Sequence, residues 1–218
     1  MFLYKELSIH HNKELEELRK LYCNLEKFIN NCSSEIHLPG DISFNTKVGD
    51  ITDGIKWSWA MNKKSMKYFD NYLKSVNFYN TMKSICENSF HIRGASYIVL
   101  DKLEVTDTDF HLDVIDMHRI FIQNTEILTV IFPLFTLEEG IGHLEYKDIN
   151  GEVNLYKYRD NKLLVWDACK FEHRTQPFIS EKPYKRVLVS INLSTDNAMA
   201  KTVLDSSISS QGNKINLN

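Results

Sequence analysis

Apolar positions along the first part of the chain recur every three or four residues. Leu15, Leu18, Leu21, Leu25 and Phe28 form one such stripe within residues 12–30, with Glu and Lys between them. That spacing predicts an amphipathic helix, and His10, His11 and Asn12 stand where its cap belongs. Residues 62–87 predict one or two further helices, with Met66, Phe69, Leu73, Val76, Tyr79, Met82 and Ile85 on the buried side. Between these segments, CSSEIHLPGD (32–41) reads as a loop by its Ser, Pro and Gly. The alternating Trp57 and Trp59 of GIKWSWA predict a short strand.

From about residue 92 the period changes from helical to alternating. Short β-branched and aromatic runs follow one another: 96–100, 127–135, 143–147, 153–158, 162–168 and 186–193. Turn signals separate them at Glu138-Glu139-Gly140, Asn150-Gly151 and Asp160-Asn161, and Asn-Gly between two such runs predicts a hairpin. Many short strands at this spacing predict a barrel or double-sheet jelly roll. The expected class is α+β with a mainly β core. No linker divides the chain, so one domain over 1–218 is expected: a mainly helical buttress (1–91), a β core (92–193) and a polar tail (194–218). The tail shows a weak helical patch at 198–204, and its last dozen residues are expected to be loose.

Composition narrows the class without naming a function. In 218 residues, hydrophobics are 43% and charged residues 25%, which is globular rather than disordered. A net charge of -3 argues against a nucleic-acid partner. No long apolar run predicts a membrane span. Lys5, Glu6 and His10 break any signal-peptide core, so a cytoplasmic location is expected. Cys23, Cys32, Cys86 and Cys169 form no CxxC pair and suggest neither a zinc finger nor a disulfide scaffold.

One spacing carries chemistry. His111 and Asp113 are two apart, so on a strand both side chains face one side. His173 follows 62 positions later, far enough for the intervening strands to return to the first pair. Two imidazoles and one carboxylate on one face of a metal are the ligand set of non-haem Fe(II) oxygenases. Arg186 opens the last strand, and a guanidinium grips a carboxylate with two parallel hydrogen bonds. Lys185 is the alternative cation. Ser190 shares a face with Arg186, four residues on.

HLD (111–113), WDACKFEH (166–173) and RVLVS (186–190) resemble the signature of the Fe(II)/2-oxoglutarate-dependent dioxygenases. The resemblance covers roughly residues 95–193. It implies a double-stranded β-helix, cupin-like, with supporting helices. It implies iron bound by His111, Asp113 and His173, and 2-oxoglutarate held by Arg186, with Tyr97 hydrogen-bonding the co-substrate and Ser190 assisting. It also implies O2 as oxidant and hydroxylation, or a related C–H oxidation, as the outcome. A short chain without an added binding domain points to a small-molecule substrate such as an amino acid or metabolite. Trp57 and Trp59 are expected at the entrance wall, and Arg174 is a candidate for a substrate carboxylate. The alternatives are a peptide side-chain hydroxylase, for example prolyl, and a non-catalytic cupin-like binding module. Asp116 with His118, and His143 with Glu145, are read as solvated or satisfied polar pairs. Asp167 is read as a partner that fixes a strand or a ligand.

Overall fold

The computed structural model describes residues 2–29, 34–48, 55–105, 108–122, 124–137 and 142–211. In chain order the elements are β1 (Tyr4–Ser8), α1 (Lys13–Glu26), β2 (Ser34–Leu38), β3 (Ile42–Val48), β4 (Ile55–Ala60), α2 (Lys63–Ser75) and α3 (Phe78–Cys86). Then come β5 (His91–Val105), a 3-10 turn (Met117–Phe121), β6 (Ile127–Pro133), β7 (Leu144–Lys147), β8 (Val153–Tyr156) and β9 (Lys162–Asp167). β10 (His173–Thr175), β11 (Phe178–Ser194) and α4 (Ala198–Ser210) complete the chain. The strands form an eight-stranded sheet, β1-β9-β6-β11-β5-β4-β3-β2, and a three-stranded sheet, β10-β7-β8. The fold is mainly β, a jelly roll buttressed by helices.

Strand parity divides the interior into layers. On β11, Val187, Val189, Ile191 and Leu193 join the core that packs under α1 and α2 with Leu18, Phe69 and Tyr72. The alternate residue Leu188 packs on the other face with Ile131, Leu144, Trp166 and Phe171, between the two sheets. Both faces of the large sheet are therefore covered, which is why β6 is buried along its whole length. A third cluster lies under α4, where Val203, Leu204 and Ile208 meet Trp59, Val114 and Ile127. The Asn12 side chain caps α1 by accepting from Leu15 N at 2.9 Å. The Asn150-Gly151 hairpin joins β7 to β8, with Gly151 at φ +84. No helix among the described residues is long and apolar enough to cross a membrane.

Two expectations change. The first 91 residues carry strands as well as helices: β1 to β4 lie there, and the stretch expected as a loop at 32–41 contains β2. β1 and β2 stand at the two edges of the large sheet, and β1 carries Tyr4, Lys5 and Ser8 exposed, so neither shows a strong apolar signal. The polar tail is in fact α4 from Ala198 to Ser210. Its buried positions, Ala200, Val203, Leu204, Ser207 and Ile208, keep a helical period beyond the patch recognised in the sequence. The end of the expected loose tail (212–218), the turn at Glu138–Gly140 and Cys32 lie outside the described residues.

Candidate metal centre and its cavity

An isolated antiparallel bridge draws the site together. His111 N donates to His173 O at 2.9 Å, and His173 N returns the bond to His111 O at 3.0 Å. The bridge sets both imidazoles side by side, 4.6 Å between ring centroids. Asp113, two residues beyond His111, comes to the same point. One ligand atom from each of His111, Asp113 and His173 lies within 4.8 Å of the others.

Each ligand is held by an outer partner. His111 Nδ1 lies 3.0 Å from Asp109 O, and His173 Nδ1 lies 3.1 Å from Phe171 O. A carbonyl only accepts, so each Nδ1 carries the proton and each Nε2 keeps its lone pair for a metal. Asp113 Oδ2 accepts from Trp166 Nε1 at 2.7 Å. Its Oδ1 stands 3.6 Å from His173 Nε2. Trp166 packs 4.9 Å from the His173 ring and 5.2 Å from Phe171. His173 is buried and His111 exposed, so the centre opens on one side. Burial holds His173 below the ordinary imidazole range, partly offset by Asp113, which favours the neutral, ligating form. Two imidazoles and a carboxylate with an open side suit Fe(II).

Asp167 fixes the turn that leads to this strand rather than a ligand. Its carboxylate accepts from Cys169 N at 3.0 Å, Thr125 Oγ1 at 3.1 Å and Lys170 Nζ at 2.9 Å.

The triad opens into a cavity of about 360 Å³ between the sheets. Arg186 reaches into it from β11 and is 2% exposed. Its Nη1 donates to Gly142 O, and its Nη2 lies 3.5 Å from Thr175 Oγ1. Gly142 has φ +62, a backbone conformation that favours glycine. Tyr158 also lines this end, its ring 5.8 Å from the guanidinium carbon. Burial pushes the Tyr158 phenol up to about 12, so it stays protonated and able to donate. Lys185 points the other way: it is exposed, paired with Glu26 and set over the Tyr22 ring. Of the two cations, only Arg186 faces the cavity. Ser190, Trp57 and Trp59 line it as well.

Two expected site residues are placed elsewhere. Tyr97 sits on the outer face of β5, fully buried against α1, and donates its hydroxyl to Leu18 O at 2.9 Å. Its neighbours Ser96 and Ile98 face the cavity instead, because side chains alternate along a strand. Arg174 faces away from the centre for the same reason. It pairs with Glu145 at 2.7 Å and lies 4.4 Å from the Phe110 ring centroid.

His118 and Asp116 form an exposed pair at 2.8 Å. His143 is buried, and its Nδ1 accepts from Tyr158 N at 3.3 Å. Trp166, Tyr158 and Thr175 were not foreseen as site residues. Thr175 alone had a local signal, since it lies two residues beyond His173 on the same strand.

No protein-family model and no curated protein matches the chain. Its fold is similar to that of solved structures. A prolyl-4-hydroxylase from Pseudomonas putida aligns with TM-score 0.55 and 11% identity, over 90% of this chain and 95% of that one. An oxidoreductase of the 2OG-Fe(II) oxygenase family from Burkholderia pseudomallei aligns with TM-score 0.58 and 14% identity, over 91% and 87%. The non-heme alpha-ketoglutarate-dependent epimerase SnoN from nogalamycin biosynthesis aligns with TM-score 0.63 and 9% identity, over 89% and 78%. At these identities the likeness is one of fold.

Proposed function

We propose that the chain is an Fe(II)- and 2-oxoglutarate-dependent oxygenase that hydroxylates, or otherwise oxidises at a C–H bond, a small molecule such as an amino acid or metabolite. The observation that carries this reading is the pairing of the His111–Asp113–His173 cluster with buried Arg186 in one cavity. A hydrolytic zinc site would use the triad but give Arg186 no task. The solved structures of the same fold include iron- and 2-oxoglutarate-dependent proteins by their descriptions, which supports the reading.

In this reading His111, Asp113 and His173 hold the iron. Bound there with 2-oxoglutarate and O2, it supplies an oxidant able to attack an unactivated C–H bond. The chain's own residues do the rest. Trp166 keeps one Asp113 oxygen occupied, so that the other is presented to the metal. Arg186 takes the distal carboxylate of the co-substrate, with the Thr175 and Tyr158 hydroxyls beside it as donors. Leu188, Ile131 and Leu144 wall the cavity with apolar surface and keep bulk water from the reacting atoms. α4 borders the cavity through Leu204 and Ile208, which favours a compact substrate over an extended peptide.

The test is an anaerobic titration with Fe(II) and then 2-oxoglutarate, followed by visible absorption. A metal-to-ligand charge-transfer band is expected, and succinate release across a metabolite panel then finds the substrate. Absence of the band would overturn the oxygenase reading in favour of a binding module.

A further inference from the structure

The cavity has a second pole, chemically unlike the Arg186 end. Asn192 lies six residues beyond Arg186 on the same face of β11, about 20 Å along the strand. Across the ladder it meets Gly94 on β5 and Thr129 on β6. In the adjacent row Ser190 faces Ser96, and Ser96 faces Trp59 of β4. Trp59, Ser96 and Asn192 all line the cavity and are 3%, 0% and 7% exposed.

Three buried polar atoms here have no hydrogen-bond partner among the described residues: Trp59 Nε1, Ser96 Oγ and Asn192 Oδ1. Asn192 Nδ2 donates to Thr129 Oγ1 at 3.2 Å. Its Oδ1 is left on the Gly94 side, 3.6 Å from where a glycine Cβ would stand, and the Trp59 ring lies 3.4 Å from that same point. Gly94 therefore leaves a notch between the two. Ile208 of α4 fills it, with Cδ1 2.9 Å from the Cβ position.

The Ile208 methyl thus stands against the Trp59 ring edge and near the unpaired Asn192 Oδ1, in a cavity where Trp59 Nε1 and Ser96 Oγ are unpaired as well. Buried polar groups are almost always paired, and an exception calls for a physical account. Core packing offers none here, because the same notch lined by apolar groups would hold Ile208 better.

We propose that this pole is the subsite for the primary substrate and that it takes a neutral carboxamide or lactam group. The Trp59 indole only donates, and Asn192 Oδ1 only accepts. A matching group must therefore present an acceptor and a donor side by side, as an amide does, with the Ser96 hydroxyl able to play either part. Among the described residues, Trp59, Gly94, Ser96, Thr129 and Asn192 at this pole carry no charge to pair with an ionic group. Lys47 stands in register with Trp57, Asp113 is held by Trp166, and Arg186 lies at the other end. The amide takes the place of the Ile208 side chain in the notch. Calling the occupant the substrate rests on the oxygenase reading, whereas the binding chemistry does not.

The test uses the indole N–H signals of the three Trp residues in 15N-labelled protein, assigned with Trp→Phe variants. 2-Pyrrolidinone and propionamide are titrated, then propionate and propylammonium. Each series is run on the chain alone and with Zn(II) and 2-oxoglutarate. The Trp59 signal should move downfield, saturably, with the two amides and not with the ions. Ser96→Ala and Asn192→Leu should each weaken amide binding about fivefold to tenfold, and Ile208→Ala should strengthen it.

If Trp59 stays unmoved by both amides in wild type and in Ile208→Ala, the proposal is overturned. An equal response to the ions would overturn the neutral class. A Trp59 response without a charge-transfer band would keep the subsite and remove the oxygenase reading, while a band without the response would remove the subsite alone.

Discussion

Trp166→Phe isolates one hydrogen bond in the candidate metal centre. The phenyl ring keeps the slot between Phe171 and His173, whose rings lie 5.2 and 4.9 Å from the indole. What disappears is the 2.7 Å bond from Nε1 to Asp113 Oδ2. A hydrogen bond to a charged group contributes about 1.5–3 kcal/mol, and each 1.4 kcal/mol is about tenfold. Asp113 keeps 20% of its side chain exposed, so water replaces part of the lost bond. The loss should therefore sit near the lower end, about tenfold in Fe(II) or Co(II) affinity, within the range for outer partners of metal ligands. Competition with a chromophoric chelator measures it, with far-ultraviolet circular dichroism as the check on folding. A folded variant that binds metal within about twofold of wild type would refute the claim that Trp166 positions the carboxylate.

His111→Ala and His173→Ala should each abolish Fe(II)-dependent turnover in chains that still fold, and turnover retained in both would sink the metal assignment. Arg186→Ala should raise the KM for 2-oxoglutarate by roughly tenfold to a hundredfold, with little change for Lys185→Ala. The reverse pattern would show the anchor to be Lys185. Leu18→Ala, under the helices and fully buried, should cost about 2–5 kcal/mol in urea unfolding, and a smaller loss would mean that this layer repacks freely. His143 is held below its ordinary value of 6.5 by burial first, then by Lys157 and Arg186. The unfolded chain thus takes up this proton more readily than the folded one, so stability is full above that value and falls as pH drops through it. His143→Gln, which keeps an acceptor for Tyr158 N–H, should flatten the loss of urea midpoint between about pH 7 and about pH 5. Equal slopes in the two proteins would exclude His143 as a contributor.

The readable parts of this chain are those where local pattern and tertiary role agree. α1 shows a full apolar stripe because one face is buried and the other solvated. β6 and β11 show in sequence because buried strands need β-branched residues. His111, Asp113 and His173 show because few residue types can hold a metal, and these three lie at a spacing that suits one. β1 and β2 did not show, since each is a short edge strand with polar residues among few apolar ones. Tyr97 was misassigned by a single step of parity: residue type suggested a site role, but only register decides which face a side chain takes. By the same rule Arg186 faces the cavity and Lys185 faces away from it. Trp166 read as one more apolar residue, because its bond to Asp113 joins positions 53 apart, and no local pattern encodes a contact of that separation.

β11 sets Arg186, Leu188, Ser190 and Asn192 on the cavity face and Val187, Val189, Ile191 and Leu193 on the helix face. Lining the cavity and packing under the helices thus fall to alternate letters of one strand. Substitutions at positions 190 and 192 can retune what the cavity accepts while the helix-facing residues hold the layer beneath. A library randomised at those two positions and at Ser96 would explore new specificities from a backbone that stays folded.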